Sequence, residues 1–403
     1  MDNVNQILSR SSFHFDFLDL IAGKTAGNEK INACIQCGSC TGSCVAADGM
    51  SISPRKLWRS LQMGLEDDVL GSLDFWNCTT CGLCDKRCPR GIPMSRLMLD
   101  LREKYDKDGG VIAGVSHTLE NLYKTGNITG DDPRNRFLWL DNLMLSEAEK
   151  ERLFRRESKA VYLTGCVAAL FPQVGGIPQS LTRLLLRQNA DFSLLEDERC
   201  CGYPVMAGGK GLEDVREFAV RNISAIEAKG ADTVIISCPT CHYMLTKIYP
   251  SLLGASFPFR VVHYTEYLVE TGGLSCSGKE AIVTYHDPCD LGRKLHITEA
   301  PREILRNIPG VTLREMRFSG EEGKCCGGGG NLEMTNPSLS FDIATKRIGD
   351  ALDTGAEYIL SSCQQCKRTL QNAARKTRSR IKVMDLLEFL SERIEAAERE
   401  GRF

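Results

Sequence analysis

Nineteen of the 403 residues are cysteine, and all but Cys276 fall into four spaced sets. Two sets read C-x-x-C-x-x-C-x-x-x-C: Cys34, Cys37, Cys40, Cys44, and then Cys78, Cys81, Cys84, Cys88. Two contain a pair of adjacent cysteines followed by glycine: Cys166, Cys200, Cys201, Cys238, Cys241, and then Cys289, Cys325, Cys326, Cys363, Cys366. Thiolates at this density are a ligand supply for iron–sulfur clusters. Three cysteines at two-residue gaps let one loop wrap one face of a cubane, while the fourth ligates the other cluster of a pair. On that pattern Cys34, Cys37, Cys40 and Cys88 hold one [4Fe–4S] cubane, and Cys78, Cys81, Cys84 and Cys44 hold a second. Pro89 follows Cys88, as the bacterial pattern expects, whereas Val45 follows Cys44. Zinc takes four ligands in two paired knuckles, and consecutive two-residue gaps, occurring twice, suit it badly.

The five-cysteine sets repeat one another. Between the leading cysteine and the pair lie 33 residues in the first and 35 in the second; between the pair and the terminal C-x-x-C lie 36 in both. A cubane needs four thiolates, so the fifth is surplus. Either one cysteine is a free redox thiol, or the cluster is not a simple cubane and some sulfurs bridge irons. Gly202 and the run Gly327–Gly330 permit the close backbone approach that two adjacent sulfurs on one cluster require. Cys276, in the polar turn GGLSCSGK, reads as a bystander thiol.

The elements that must position these sulfurs follow from hydrophobic pattern. Residues 1–30 read as an amphipathic entry segment, and PRKLWRSLQMGLEDDVLGSL (54–73) as one helix with apolar residues at helical spacing. Residues 105–158, with the turns DKDGG and GNITGDDP and the basic stretch LSEAEKERLFRR, read as a connector with two short helices. Beyond 159, apolar runs (AVYLTG, TVIIS, AIVTYH, VTLREM, EYILSS) alternate with helical stretches, which is an α/β pattern. GADTVIISCPTC (230–241) returns as GAEYILSSCQQC (355–366), so the α/β part is a duplication. The expected organisation is a helical two-cluster domain (1–104), a connector (105–158) and two α/β half-domains (159–272 and 273–403). Each half carries its cysteines on loops after strands, where open α/β sheets place their sites.

Composition narrows the setting. Lys plus Arg number 50 and Asp plus Glu 52, a formal charge of −2, which gives no global attraction to nucleic acid or an anionic membrane. No apolar run approaches the roughly 18 residues of a spanning helix, and no leader pattern opens the chain. Clustered thiolates call for reducing, low-oxygen surroundings. The expectation is a cytoplasmic protein of an anaerobe or facultative anaerobe, docked on the inner face of the membrane only through a partner.

The C…CCG…CxxC pattern, together with CIQCGSCTGSC and CTTCGLCDKRCPRG, resembles the heterodisulfide reductase family over roughly residues 30–380. The chain looks like the D-type subunit, a fusion of the ferredoxin-like C subunit with the CCG-domain B subunit. The resemblance implies a noncubane [4Fe–4S] cluster on each intact five-cysteine set, beside the two cubanes. It implies disulfide reduction, with electrons supplied by a flavoprotein of heterodisulfide reductase A type, a membrane cytochrome b subunit, or a hydrogenase or other redox module. Two electrons must reach one S–S bond, and a duplicated domain offers two one-electron centres. The rival function is an electron relay, without a disulfide substrate of its own, in a flavin-based bifurcating or benzoyl-CoA-reductase-like complex. In the family a His is expected directly after the leading cysteine of the second set; here Asp290 stands there. A carboxylate at that place would disfavour electron arrival and repel a sulfonate or phosphate. His242 and His286 are candidate proton donors, and Arg293, Lys294 and Lys324 candidate anion-binding groups.

Overall fold

A computed structural model describes residues 15–24, 27–272, 275–399 and 401. Most of the amphipathic entry segment lies outside the described residues; its described end is a helix, Phe15–Gly23, with Phe17 and Ile21 buried. The helix expected over 54–73 is two helices, Pro54–Gln62 and Glu66–Ser72. Gly64, at φ 68°, breaks them apart in a conformation that glycine adopts without strain. Leu57, Trp58 and Leu61 of the first and Val69 of the second still face one core.

Among the described residues, eight strands form two four-stranded parallel sheets of identical topology. The first holds β1 (Ala160–Leu163), β2 (Phe192–Leu194), β3 (Thr233–Ile236) and β4 (Arg260–His263) in the order β2-β1-β3-β4. The second holds β5 (Ala281–His286), β6 (Val311–Leu313), β7 (Tyr358–Ser361) and β8 (Lys382–Asp385) in the order β6-β5-β7-β8. Registers repeat too: Tyr162 of β1 pairs with Ile235 of β3, and Tyr285 of β5 with Leu360 of β7. Strand alternation divides each sheet between two cores. Val161, Leu163, Val234 and Ile236 face the core shared with the N-terminal domain. Ala160, Tyr162 and Ile235 face the core between the halves, where they are joined by Val283, Tyr285 and Leu360 of the second sheet. Helices Gly176–Arg187 and Leu386–Arg399 fill that central layer with Leu181, Leu184, Leu387 and Leu390.

The stretch 105–158 is more than a tether. Helix Met94–Lys107 runs into it, and helix Ala113–Thr125 buries Val115, Leu119 and Leu122 in the shared core. In the turn GNITG the Asn127 side chain accepts from Thr129 and Gly130 backbone N–H groups, and the Gly126 carbonyl accepts from Cys200 N. The turn is thus an internal brace for the paired cysteines.

Candidate metal centres

Both N-terminal cysteine loops use one backbone device. The residue before the second cysteine has positive φ (Gln36, 57°; Thr80, 54°), and so does the glycine after it (Gly38, 84°; Gly82, 70°). Positive φ at the β-branched Thr80 is strained and persists only where surroundings impose it; here its hydroxyl bonds the buried Tyr203 hydroxyl. The reversed curvature turns successive sulfurs inward. Cys34, Cys37, Cys40 and Cys88 line one cavity, with Arg55 and Arg90 at its edge. Cys44 lies instead with the next loop. Burial, then the neighbouring Cys78 and Cys81, push its thiol up to about 12, and Cys84 is raised by burial with Cys78, Cys81 and Cys44 among its neighbours.

The five-cysteine sets sit beyond the carboxyl ends of the strands. Cys166 follows β1, Cys200 and Cys201 follow β2, and Cys238 and Cys241 follow β3; Cys289, Cys325–Cys326 and Cys363–Cys366 follow β5, β6 and β7. Strand order reverses about β1 and β5, so the leading cysteine and the C-x-x-C come from adjacent strands at the switch point. The glycine of each CCG has positive φ (Gly202, 78°; Gly327, 90°), and an added Cβ would lie 2.7 Å from Val215 or from the Ser340 carbonyl. In the first half Cys200 contacts Cys166 and Cys201, and Cys241 contacts Cys201 and Cys238. In the second, Cys325 contacts Cys289 and Cys326, and Cys326 and Cys366 sulfurs are 3.3 Å apart. Thiolates this crowded and buried repel one another, so the donor sets fit a shared cationic cluster. The second set also receives backbone N–H groups: Gly327 N at 3.4 Å from Cys325 and Gly328 N at 3.4 Å from Cys326.

The second five-cysteine set abuts the second N-terminal loop. Cys325 contacts Cys81. An added Cβ on Gly330 would lie 2.5 Å from the Cys78 carbonyl, and one on Gly329 2.9 Å from that of Thr79. Close backbone approach is what the glycine run provides. Arg293 binds the two loops together, its guanidinium donating to the carbonyls of Cys81 (2.7 Å), Glu321 (2.9 Å) and Gly323. Arg102 does the same from the other side. Fully buried, it donates to the carbonyls of Phe75, Cys78, Ala207 and Gly330. Sequence reading missed Arg102; its signal is a cation one helical turn after Met98, on the stripe that Leu97, Met98 and Leu101 bury.

The halves also reach into each other. Thr240, inside the first C-x-x-C, donates to Asp290 at 2.6 Å, and Gln364, inside the second, donates to Thr164 O (3.1 Å) and Ser237 Oγ (2.9 Å). Asp290 is no lone charge. Half-buried Lys294 pairs with it at 2.7 Å and lies over the rings of Tyr243 and Tyr203, so the repulsion expected of a bare carboxylate is neutralised in place. His286, the last residue of β5, accepts from Arg347 Nε at 3.1 Å on Nδ1, which leaves the ring proton on Nε2. A His286 ring nitrogen and the Cys326 and Cys366 sulfurs lie within 4.8 Å of one another. His242 is buried and stacks on His263 with ring centroids 6.4 Å apart; burial brings it down to about 4. Lys324 is partly exposed, paired with Asp350 at 3.4 Å and over the Phe318 ring. Cys276 packs at the margin of the central core, apart from the four sets.

A dicluster fold followed by two parallel-sheet domains with cysteine-lined switch points defines an iron–sulfur redox protein. Family models agree: a 4Fe-4S dicluster domain matches residues 30–92, and the CCG cysteine-rich domain matches 160–246 and 283–371. The chain is 32% identical to the D-type subunit of the dihydromethanophenazine:CoB–CoM heterodisulfide reductase of Methanosarcina acetivorans, over 89% of this chain and 92% of that one. It is 31% identical to its counterpart in Methanosarcina barkeri, over 90% and 94%. The chain belongs to the family of D-type heterodisulfide reductase subunits. A solved structure of a hypothetical protein from Helicobacter pylori shares the fold at TM-score 0.56 and 10% identity, covering 94% of this chain and 74% of that one. Among the described residues no helix is long and apolar enough to cross a membrane.

Proposed function

We propose that this chain is the disulfide-reducing subunit of a heterodisulfide reductase-type complex, holding two cubanes and two noncubane clusters. Cys34, Cys37, Cys40 and Cys88 would hold the cubane at the electron entry, and Cys44, Cys78, Cys81 and Cys84 the next. Each five-cysteine set would hold one noncubane cluster. When bound, these clusters supply one-electron transfer; the overall chemistry adds two electrons and two protons to a disulfide and yields two thiols. The contact of Cys81 with Cys325, clamped by Arg293 and Arg102, carries the reading. On this reading the inner cubane's ligands would lie against the second CCG set, giving a path from an exposed loop to the duplicated domain. Protein residues then do three things. Arg102 and Arg293 hold the two loops in register. Lys294 neutralises Asp290, so a thiol bearing a sulfonate or phosphate meets no net negative charge there. His286 offers an N–H beside Cys326 and Cys366.

The electron donor is a partner protein: a flavoprotein, a membrane cytochrome b, a hydrogenase or another redox module. Protein purified without oxygen is expected to hold about sixteen irons, four per cluster, and, with a viologen donor, to convert a coenzyme M–coenzyme B type disulfide to thiols. Stoichiometric zinc with little iron would refute the cluster assignment. Full reduction of every cluster with no disulfide turnover would leave the electron-relay alternative.

A further inference from the structure

Among the four ligand sets, the outermost is set apart by exposure. The CCG cysteines are buried or nearly so, whereas Cys37 is exposed and Ile35, beside it, is 60% exposed. Electron transfer falls steeply with distance, so an outside protein must meet this loop. The surroundings of the loop are cationic. Arg55 and Arg90 line its cavity, Lys30 lies by Gly91 next to Arg90, and Lys56 and Arg59 are exposed on helix Pro54–Gln62. Arg55, Arg59 and Gln62 share one helix face, and Gln62 donates to Ile31 O at the base of the same loop. Among the described residues none of these cations is paired with a carboxylate, and Arg90 reaches only the Ala33 carbonyl. By contrast, Lys86 and Arg87, on the helix after the second loop, are paired with Glu321 and Glu322. In a chain of net charge −2, an apolar spot over a redox site with an unpaired cationic rim is complementary to a surface rich in carboxylates.

We infer that the Cys34–Cys40 loop, rimmed by Lys30, Arg55, Lys56, Arg59 and Arg90, is the docking face for an acidic protein electron carrier. The inference rests on reading this set as the point of electron entry. Ile35 supplies the dry centre of the contact, and the rim steers the encounter. The test is stopped-flow reduction of the cluster-loaded protein by an acidic 2[4Fe–4S] ferredoxin, with methyl viologen as the small-molecule comparison. Wild type should lose at least about tenfold in second-order rate constant between about 0.01 M and about 1 M salt. The Lys56→Glu, Arg59→Glu double variant, which leaves the cavity lining untouched, should lose a similar factor at low salt while accepting viologen electrons no more slowly. Reversing Arg375 and Arg378, an exposed cationic pair at the end of the helix Gln364–Lys376 in the second half-domain, should change neither rate. A ferredoxin rate indifferent to salt and to the double variant would overturn the docking face, and leave the relay intact if viologen still reduces every cluster. Salt-sensitive binding to phosphatidylglycerol vesicles, lost in the double variant without any effect on ferredoxin, would overturn it in favour of a lipid surface. Failure of viologen to reduce any cluster in wild type would overturn the entry reading and the inference with it.

Discussion

The two CCG half-domains share a topology but solve one local problem in opposite ways. Each must tie the loop bearing the leading cysteine to the loop bearing the pair. In the first half the carboxylate comes from the pair's loop: Glu198 accepts from Thr164 N, Thr164 Oγ1 and Gly165 N and is paired with buried Arg136 at 2.7 Å. In the second it comes from the leading loop: Asp287 accepts from Gly320 N and pairs with Arg302 through both oxygens. Surroundings diverge further. Arg136 also approaches Cys166 at 3.6 Å, whereas the second half has His286 with Arg347 and a contact to Cys81. Duplication preserved the cage and changed what touches it. The second cage meets an N-terminal cysteine, Cys81, whereas the first half reaches the N-terminal loops through the Tyr203–Thr80 hydroxyl pair, so these outer contacts are the features expected to set the order of electron flow.

The sharpest way to break this comparison is to remove one paired cysteine from each half. Cys326→Ser should cost about four of about sixteen irons and also leave the first-half cluster slow to reduce, because its route passes through the second. Cys201→Ser should cost a similar number while the second-half cluster still reduces normally. Freeze-quenched EPR with iron analysis distinguishes the two; equal behaviour would mean that the halves are fed in parallel.

Next in size are the two carboxylate ties. Glu198→Ala leaves Arg136 buried without its carboxylate, whereas Asp287→Ala leaves Arg302 still paired with Glu315 at 2.7 Å. The first should cost about 3–5 kcal/mol, as removing one member of a buried pair does, and the second less, each seen as a lowered denaturation midpoint with loss of iron first from the affected half. A smaller effect is expected of His286→Leu, which gives β5 the residue that ends β1, Leu163. Losing an N–H donor beside thiolates disfavours the reduced, more negative state. A difference of about 1 kcal/mol corresponds to a drop on the order of 40 mV for one electron. A redox titration followed by EPR should show it in the second-half cluster alone.

A different kind of effect, on the pH dependence of stability, concerns Asp385, at the end of β8. Burial, then Glu388, raise its carboxyl to about 7, although Tyr264 and Leu387 N donate to it. Its folded value lies above the ordinary unfolded one near 4, so the folded state holds the proton more tightly. Its contribution is present below about pH 4 and is lost as pH rises through about 7. Asp385→Asn should therefore flatten the decline of the melting temperature between those limits, measured anaerobically on cluster-loaded protein.

How much of this was legible depends on the range over which each feature is encoded. Strand runs such as AVYLTG and EYILSS could be read because alternation and β-branching act within a few residues; β2, β4 and β8 were not singled out, and β4 and β8 open and close on charged or polar residues (RVVH, KVMD). The break at Gly64 was available locally and was overridden by the apolar spacing around it. The cysteine sets, their repeat and their glycines were explicit, since ligand spacing and backbone freedom are properties of the chain itself. By itself, then, the sequence determined the donor sets, the duplication and the α/β class. It could not show that Arg102 and Arg293 bind carbonyls of separate segments, that Lys294 neutralises Asp290, that Glu198 and Asp287 exchange roles, or that Cys81 meets Cys325. Those depend on residues far apart in the chain meeting at strand ends, and a buried charge finds its partner only when packing excludes water around both.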